Sequence, residues 1–172
     1  MKIKNIIRIV VFTMFILLLP LVVMQFTNEV DWDLVDFAVA GILLFGAGIT
    51  YELIAGMMTN IMYRAAAGLA VVTALILIWI NLAVGIIGTE ANPANLMYAG
   101  VLVVGIIGSL IARFRPTGMA IVFIVTAFAQ LLVGMIAIIA GLGHSLIIDI
   151  SFAVLWVGSA LLFRRASTSD SK

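Results

Sequence analysis

Six long apolar runs make up most of this sequence, and each is long enough to cross a lipid bilayer. A transmembrane helix needs roughly 20 mostly apolar residues to span a hydrocarbon layer about 30 Å thick. With 65% hydrophobic and 10% charged residues and a mean hydropathy of +1.33, the composition is that of a membrane protein. The sequence therefore predicts an all-α integral membrane protein with helices at about 7-26, 35-56, 64-88, 95-113, 118-140 and 146-163.

The connections between these runs are too short to hold a soluble domain. We expect a single six-helix transmembrane domain over residues 1-166 and a disordered tail over 167-172, which has too little apolar content to fold. The basic N-terminus followed by an apolar run also fits a signal peptide. Because no small-residue cleavage site follows the run, an uncleaved first helix is the better interpretation.

The charged residues indicate the orientation of the helices. All nine basic residues fall on the side of the termini in a six-span arrangement, and adding or removing one span would scatter them across both faces. The positive-inside rule therefore predicts cytoplasmic termini in a bacterial inner membrane. Six of the eight acidic residues fall on the opposite, outer face: Glu29, Asp31, Asp33, Asp36, Glu90 and Asp149.

A polar connection near the midpoint of the chain separates the third and fourth runs and contains Asn92, Pro93 and Asn95. Asparagine can accept bonds from the free N–H groups of a first helical turn, and proline at the first helical position lacks the N–H that would have no partner. This pattern predicts an outward-facing helical hairpin. We expect Asn81, near the outer end of the third helix, to brace it by bonding the turn.

Polar side chains at membrane depth are the candidate functional positions: Glu52, Gln130, Asn81 and Arg64. Glu52 is interpreted as the only acid well inside an apolar run, about 6 Å from the cytoplasmic surface. It fits either an ion pair with Arg8, Arg64 or Arg113, or a proton or cation site. Gln130 lies near the middle of the fifth helix, where its amide must face another helix or a wet cavity.

The sequence also contains a candidate internal repeat of two helices. Residues 40-46 resemble residues 99-105, and Thr73-Ala74 with Gly88 resembles Thr126-Ala127 with Gly141. Copies of two helices each would have the same topology and be related by an axis along the membrane normal. Chance similarity between apolar segments is the alternative.

The residue types present exclude several kinds of chemistry. The chain has no cysteine, which excludes disulfides and Cys-ligated metals, and it contains no Ser-His-Asp spacing, phosphate loop or paired histidines. The outer acids and His144 could in principle attract a divalent cation, but their spacing matches no known binding loop. We therefore expect no enzyme activity, cofactor, metal site or nucleic-acid partner, and the lipid bilayer as the surroundings.

Several segments resemble a family of small, functionally uncharacterised bacterial multi-span inner-membrane proteins with an NPANLMY-type central motif. The resemblance implies a multi-span membrane protein and carries no catalytic residues across. The segments that carry it are residues 24-30, 36-40, 51-53, 63-66, 79-85, 92-98, 111-116 and 155-158.

Two functional hypotheses follow from these features. Scarce charge near the midplane and many small residues at helix-packing intervals favour a non-enzymatic scaffold or accessory subunit, with a homo-oligomer or a membrane-protein partner. The alternative is a small oligomeric permease or channel for an ion or small solute, with Glu52, Gln130 and Asn81 lining its path.

Overall fold

A computed structural model describes residues 3–27, 31–143 and 146–169 of the chain. This described part is all-helical, and six of its helices are long and apolar enough to cross a membrane. The predicted all-α class and the number of membrane-length helices are therefore confirmed. A short 3-10 helix, Pro93–Leu96, precedes α4, and the six long helices are α1 (Ile3–Phe26), α2 (Leu34–Ala55), α3 (Ile61–Ala83), α4 (Met97–Ile111), α5 (Pro116–Ile139) and α6 (Leu146–Ser169).

The end of α3 differs from the prediction. The apolar run continues to Gly88, but α3 ends at Ala83. Gly85 and Gly88 adopt positive φ angles of 71° and 72°, a conformation that glycine reaches without the steric cost other residues meet. The apolar residues between them therefore belong to a loop and are not the last turn of a transmembrane helix.

The C-terminal end of α6 also differs. The helix continues to Ser169, so the prediction of a disordered tail is wrong for residues 167 to 169, while 170-172 lie outside the described residues. Ala166 is fully buried, and its carbonyl accepts a bond from Asn60 Nδ2 at 3.4 Å. The hydroxyls of Ser167 and Thr168 donate to carbonyls one turn earlier. These contacts hold the polar end of the helix.

The chain forms two compact units, Met1–Leu53 and Ile54–Lys172, where the sequence predicted one domain. Apolar runs reveal which segments cross a membrane but not which helices pack together, so hydropathy could not show this division. In the first unit α1 and α2 run antiparallel. Ile9 lies against Gly48, where an added Cβ would come within 2.6 Å of the isoleucine Cγ2, and Leu17 lies against Gly41 at 3.5 Å.

The second unit contains α3 to α6. Helix α6 packs against both α3 and α5, and α4 packs against α5. Aromatic side chains fill the core near one end: Phe123 stacks on both Trp156 and Phe163, with ring centroids 5.6 Å apart in each pair, and Tyr63 meets Phe163 edge-on at 5.2 Å. Buried Ala66, Ala67 and Ala70 line α3.

Small residues allow α4 to approach α5 closely. An added Cβ on Gly108 would lie 2.8 Å from Val122, and one on Gly105 would lie 3.5 Å from the Thr126 hydroxyl. In a membrane, where lipid tails are as apolar as leucine, helix association depends on such close van der Waals packing. The spacing of small residues in the sequence thus corresponds to a real helix contact at this position.

Candidate functional site

A buried carboxyl group joins three helices of the second unit. Asp149, in the first turn of α6, has no solvent exposure. Its Oδ1 accepts a hydrogen bond of 2.9 Å from the Tyr98 hydroxyl of α4 and one of 2.8 Å from Gln130 Nε2 of α5. From the sequence, Asp149 was expected on the outer face and Glu52 was interpreted as the only acid inside an apolar run. The structure adds that Asp149 is not an exposed surface acid, because neighbouring helices cover it.

Gly134 leaves the space that the Asp149 carboxyl occupies. It lies one helical turn after Gln130 on α5, and it is itself buried. A Cβ on Gly134 would collide with Asp149 Oδ2 and would lie 2.8 Å from the carboxyl carbon and 3.1 Å from the aspartate Cβ. The absence of a side chain at this position therefore lets α6 bring its carboxyl against the backbone of α5.

Gln130 is fully buried and uses its two polar atoms unequally. Its Nε2 donates to Asp149, while its Oε1 is buried and has no hydrogen-bond partner among the described residues. One turn earlier on α5, the Thr126 hydroxyl donates to the Val122 carbonyl at 2.9 Å. Leaving a buried amide oxygen without a hydrogen-bond partner typically lowers stability by about 1–3 kcal/mol. The hydrogen-bonding capacity of Gln130 is therefore only partly used in the observed arrangement.

The central hairpin is organised by Asn95, whose side chain is buried. Its Oδ1 accepts from the backbone N–H groups of Ile86 at 3.0 Å and Ile87 at 2.8 Å, and its Nδ2 donates to the Thr89 carbonyl at 2.7 Å. One side chain thus replaces the helical hydrogen bonds that the loop after α3 lacks.

The predicted brace from α3 is also present. Asn81 Nδ2 donates to the Asn95 carbonyl at 3.1 Å. Asn92 caps the turn by accepting from Ala94 N at 3.0 Å, and Pro93 begins the 3-10 helix that leads into α4. The sequence predicted a helix start at Pro93 and the fourth helix over about 95-113, and the structure forms the first turn of this segment as a 3-10 helix before α4 begins at Met97. These polar residues hold the loop in place.

Glu52 lies in the first unit and has partners there. One carboxylate oxygen forms an ion pair with Arg8, and the other accepts a hydrogen bond of 2.6 Å from Asn5 Nδ2. Arg8 is one of the three partners considered from the sequence. Arg64 is exposed in the first turn of α3. Glu52, Asn81 and Gln130 therefore each bind different partners.

The sequence interpretation missed Asp149 and Tyr98 as site residues. One signal was present: Asp149 lies between apolar residues on both sides, three positions after the start of the sixth run. Glu29 and His144, which were grouped with the outer acids, lie outside the described residues. Within residues 3–27, 31–143 and 146–169, no three His, Asp or Glu side chains are grouped so that they could hold a metal ion.

Chemically, the Tyr98–Gln130–Asp149 cluster combines one group that can bind a proton with two groups that can donate a hydrogen bond to it and accept one from it. Comparison of the chain with protein-family models, curated proteins and solved structures found no match.

Proposed function

We propose that this protein is a non-enzymatic integral membrane protein that acts as a scaffold or accessory subunit of a membrane assembly. The observation that best supports this is how the second unit uses its buried polar groups. Asn81, Asn95 and Gln130 bind other groups of the same unit, and so join its helices and loops. Such hydrogen bonds between transmembrane helices typically contribute about 0.6 to 2 kcal/mol each.

The outer surface of each unit is apolar and available to lipid or to other helices. Large apolar side chains are exposed on all six helices, and they include Phe15, Ile42, Val72, Ile106, Phe128 and Val154. Because the chain has no cysteine, single cysteines can be placed at these six positions without altering any other residue. Oxidative crosslinking in native membranes then tests for a neighbour at each helix.

We expect at least one exposed position to crosslink, either to a second copy or to another membrane protein identified by mass spectrometry. The matched control is Ala137→Cys, because Ala137 is fully buried and should not crosslink. A strict monomer in native mass spectrometry, with no crosslink at any of the six positions, would contradict the proposal.

The proposal includes the orientation and the setting inferred from the sequence: cytoplasmic termini, a bacterial inner membrane, membership of the NPANLMY-type group and the two-helix repeat. Single cysteines test the orientation directly. Thr89 and Thr117 are both exposed and lie one span apart in the chain. We expect a membrane-impermeant maleimide to label Thr89→Cys in intact cells and Thr117→Cys only after permeabilisation, and the reverse pattern would invert the orientation.

One observation favours a second candidate, a small oligomeric permease or channel. Ionisable residues inside transmembrane bundles often mark ion or proton pathways, and Asp149 is fully buried. In this form the candidate depends on Asp149 and Gln130, whereas Glu52 has an ion-pair partner of its own.

Proton flux into liposomes containing the protein, driven by an imposed membrane potential, tests this candidate. A permease should give flux above that of protein-free liposomes, and Asp149→Asn should abolish it while Glu52→Gln leaves it unchanged. Flux equal to that of protein-free liposomes would exclude proton transport by this protein. Flux that persists in Asp149→Asn would show that Asp149 does not lie on the proton path.

A further inference from the structure

We propose that a groove between the start of α5 and the end of α6 binds one anionic phospholipid, with the lipid phosphate at Arg164 and one acyl chain along Ile121 and Ile124. The groove lies in the second unit, at the other end of α6 from Asp149. The inference goes beyond the proposed function, because a lipid bound at a defined position is distinct from the bilayer that surrounds the protein.

The packing of α5 on α6 forms the groove. The two helices run antiparallel, because Gln130 bonds Asp149 near one end of the pair and Phe123 stacks on Phe163 near the other. Near that aromatic stack the helices leave a cavity of about 340 Å³. Binding pockets for small molecules typically measure about 300–1,000 Å³, so the cavity is large enough for part of one lipid molecule.

The lining of the groove changes from polar at the helix ends to apolar further along α5. The lining residues are Thr117, Arg164 and Ser167 at the polar end, and Ala120, Ile121 and Ile124 at the apolar end. Ile124 lies about 10 Å along the helix axis from Thr117, at 1.5 Å per residue. A phospholipid has the same division, with a charged headgroup at the membrane surface and acyl chains in the hydrocarbon layer.

Two polar groups of the groove are free to bind a phosphate. Arg164 is exposed and forms no ion pair with any residue in the described ranges. The Thr117 side chain is also exposed, and its hydroxyl has no hydrogen bond to a residue that the structure describes. A guanidinium group can donate two parallel hydrogen bonds to a phosphate, and a hydroxyl can donate one more. Ser167 differs, because its hydroxyl already donates to the Arg164 carbonyl at 2.7 Å.

The charge at this end of the second unit is positive. Three further exposed arginines precede α5 or follow Arg164 in α6: Arg113, Arg115 and Arg165. The acids that the structure describes in this unit, Glu90 and Asp149, lie toward the opposite end, where the loop before α4 meets the connection after α5. Basic pockets between transmembrane helices are typical binding sites for anionic lipid headgroups. The charge therefore favours an anionic lipid over a zwitterionic one.

The apolar part of the groove favours a lipid over a soluble phosphate. Ile121 and Ile124 are 63% and 37% exposed, and both lie on the side of the groove that continues into the membrane-length part of α5. A lipid in the bilayer reaches this position with its chain already in the hydrocarbon layer. A phosphate ion from water would contact the polar end alone.

Native mass spectrometry of the full chain tests lipid binding, with the protein released from micelles that contain equal amounts of phosphatidylglycerol and phosphatidylcholine with the same acyl chains. We expect one phosphatidylglycerol molecule to stay bound at collision energies that remove phosphatidylcholine. Equal retention of the two lipids would overturn the proposal. A lipid-free dimer as the retained species would also overturn it, because a second copy would then be the occupant.

Arg164→Gln and Arg165→Gln locate the headgroup. Both variants remove one charge from an exposed position of α6, but only Arg164 lines the groove. We expect Arg164→Gln to weaken phosphatidylglycerol binding at least about fivefold, the effect typical of one basic residue near a membrane surface, and Arg165→Gln to leave it nearly unchanged. Equal losses in the two variants would show an effect of net charge and would overturn the site.

Ala120→Leu and Ala129→Leu locate the acyl chain without changing any charge. Both alanines are half-buried residues of α5, and only Ala120 lines the groove. We expect the larger side chain to lower the fraction of protein that retains phosphatidylglycerol in Ala120→Leu and not in Ala129→Leu. Unchanged retention in folded Ala120→Leu would overturn the position of the chain.

Soluble phosphates distinguish a lipid site from a general anion site. Inorganic phosphate and glycerol 3-phosphate carry the same anionic group as the lipid but no acyl chain. We expect neither compound, in large molar excess, to displace bound phosphatidylglycerol from the unaltered protein. Displacement by either compound would overturn the lipid as the occupant of the groove.

Discussion

Replacing Gly134 by alanine is expected to lower the free energy of unfolding by about 2 to 3 kcal/mol, because overpacking a tight contact typically costs about 1–3 kcal/mol. The new Cβ would lie 2.8 Å from the carboxyl carbon of Asp149 and 3.1 Å from its Cβ. Aspartate has a short side chain and cannot swing away, so α5 and α6 must separate and the bond to Gln130 must lengthen. Unfolding in mixed detergent micelles, followed by circular dichroism, measures the loss.

Gly100→Ala is the matched control in the same unit. Gly100 lies in α4, is exposed, and an added Cβ there would meet no atom within 4 Å. We expect no loss of stability, because the added methyl group contacts no neighbouring atom. Both variants add the same methyl group to a helix, so they differ in the space around it. Equal losses in both variants would show that the close approach at Gly134 is not what the methyl group disturbs.

Replacing Asn95 by leucine is expected to have the largest effect, a loss of about 3 to 5 kcal/mol. The substitution removes the acceptor of two buried backbone N–H groups, those of Ile86 and Ile87, and each unsatisfied group costs about 1–3 kcal/mol. It also removes the donor to the Thr89 carbonyl. The loop between α3 and α4 should become accessible to proteases at a lower temperature than the helices unfold.

Asn81→Leu provides the comparison within the same hairpin. It removes one hydrogen bond, to the Asn95 carbonyl, and it also removes a buried Oδ1 that has no partner among the described residues. The two effects partly offset each other, so the expected loss is about 1 kcal/mol or less. A loss in Asn81→Leu as large as that in Asn95→Leu would mean that the brace from α3, and not the Asn95 side chain, holds the loop.

Part of the hairpin between α3 and α4 was predictable from local sequence patterns. Asparagine before proline predicted a cap and a helix start, and Asn81 was expected to bond the turn, because these are local preferences of short segments. The role of Asn95 was not predicted. It depends on Ile86 and Ile87, which follow a glycine with positive φ and are apolar enough to be assigned to the helix.

The contacts of the buried cluster around Asp149 were not predictable from local sequence patterns. Gln130 was expected to face another helix or a wet cavity, because an amide in hydrocarbon needs a partner, but nothing in the sequence identified Asp149 as that partner. Its position near the start of a helix is typical of an exposed acid at the membrane surface. Its burial depends on Tyr98 and Gly134, which lie on two other helices.

The sequence by itself determined the all-helical class and the number of membrane-length helices. Each transmembrane helix satisfies its own backbone hydrogen bonds, so its existence depends on the hydropathy of one continuous segment. Only the tertiary structure decided the division into two units, the end of α3 and the partners of Asp149 and Asn95. These features depend on which side chains meet across helices, and that choice is made by the shape and hydrogen-bonding groups of segments far apart in the chain.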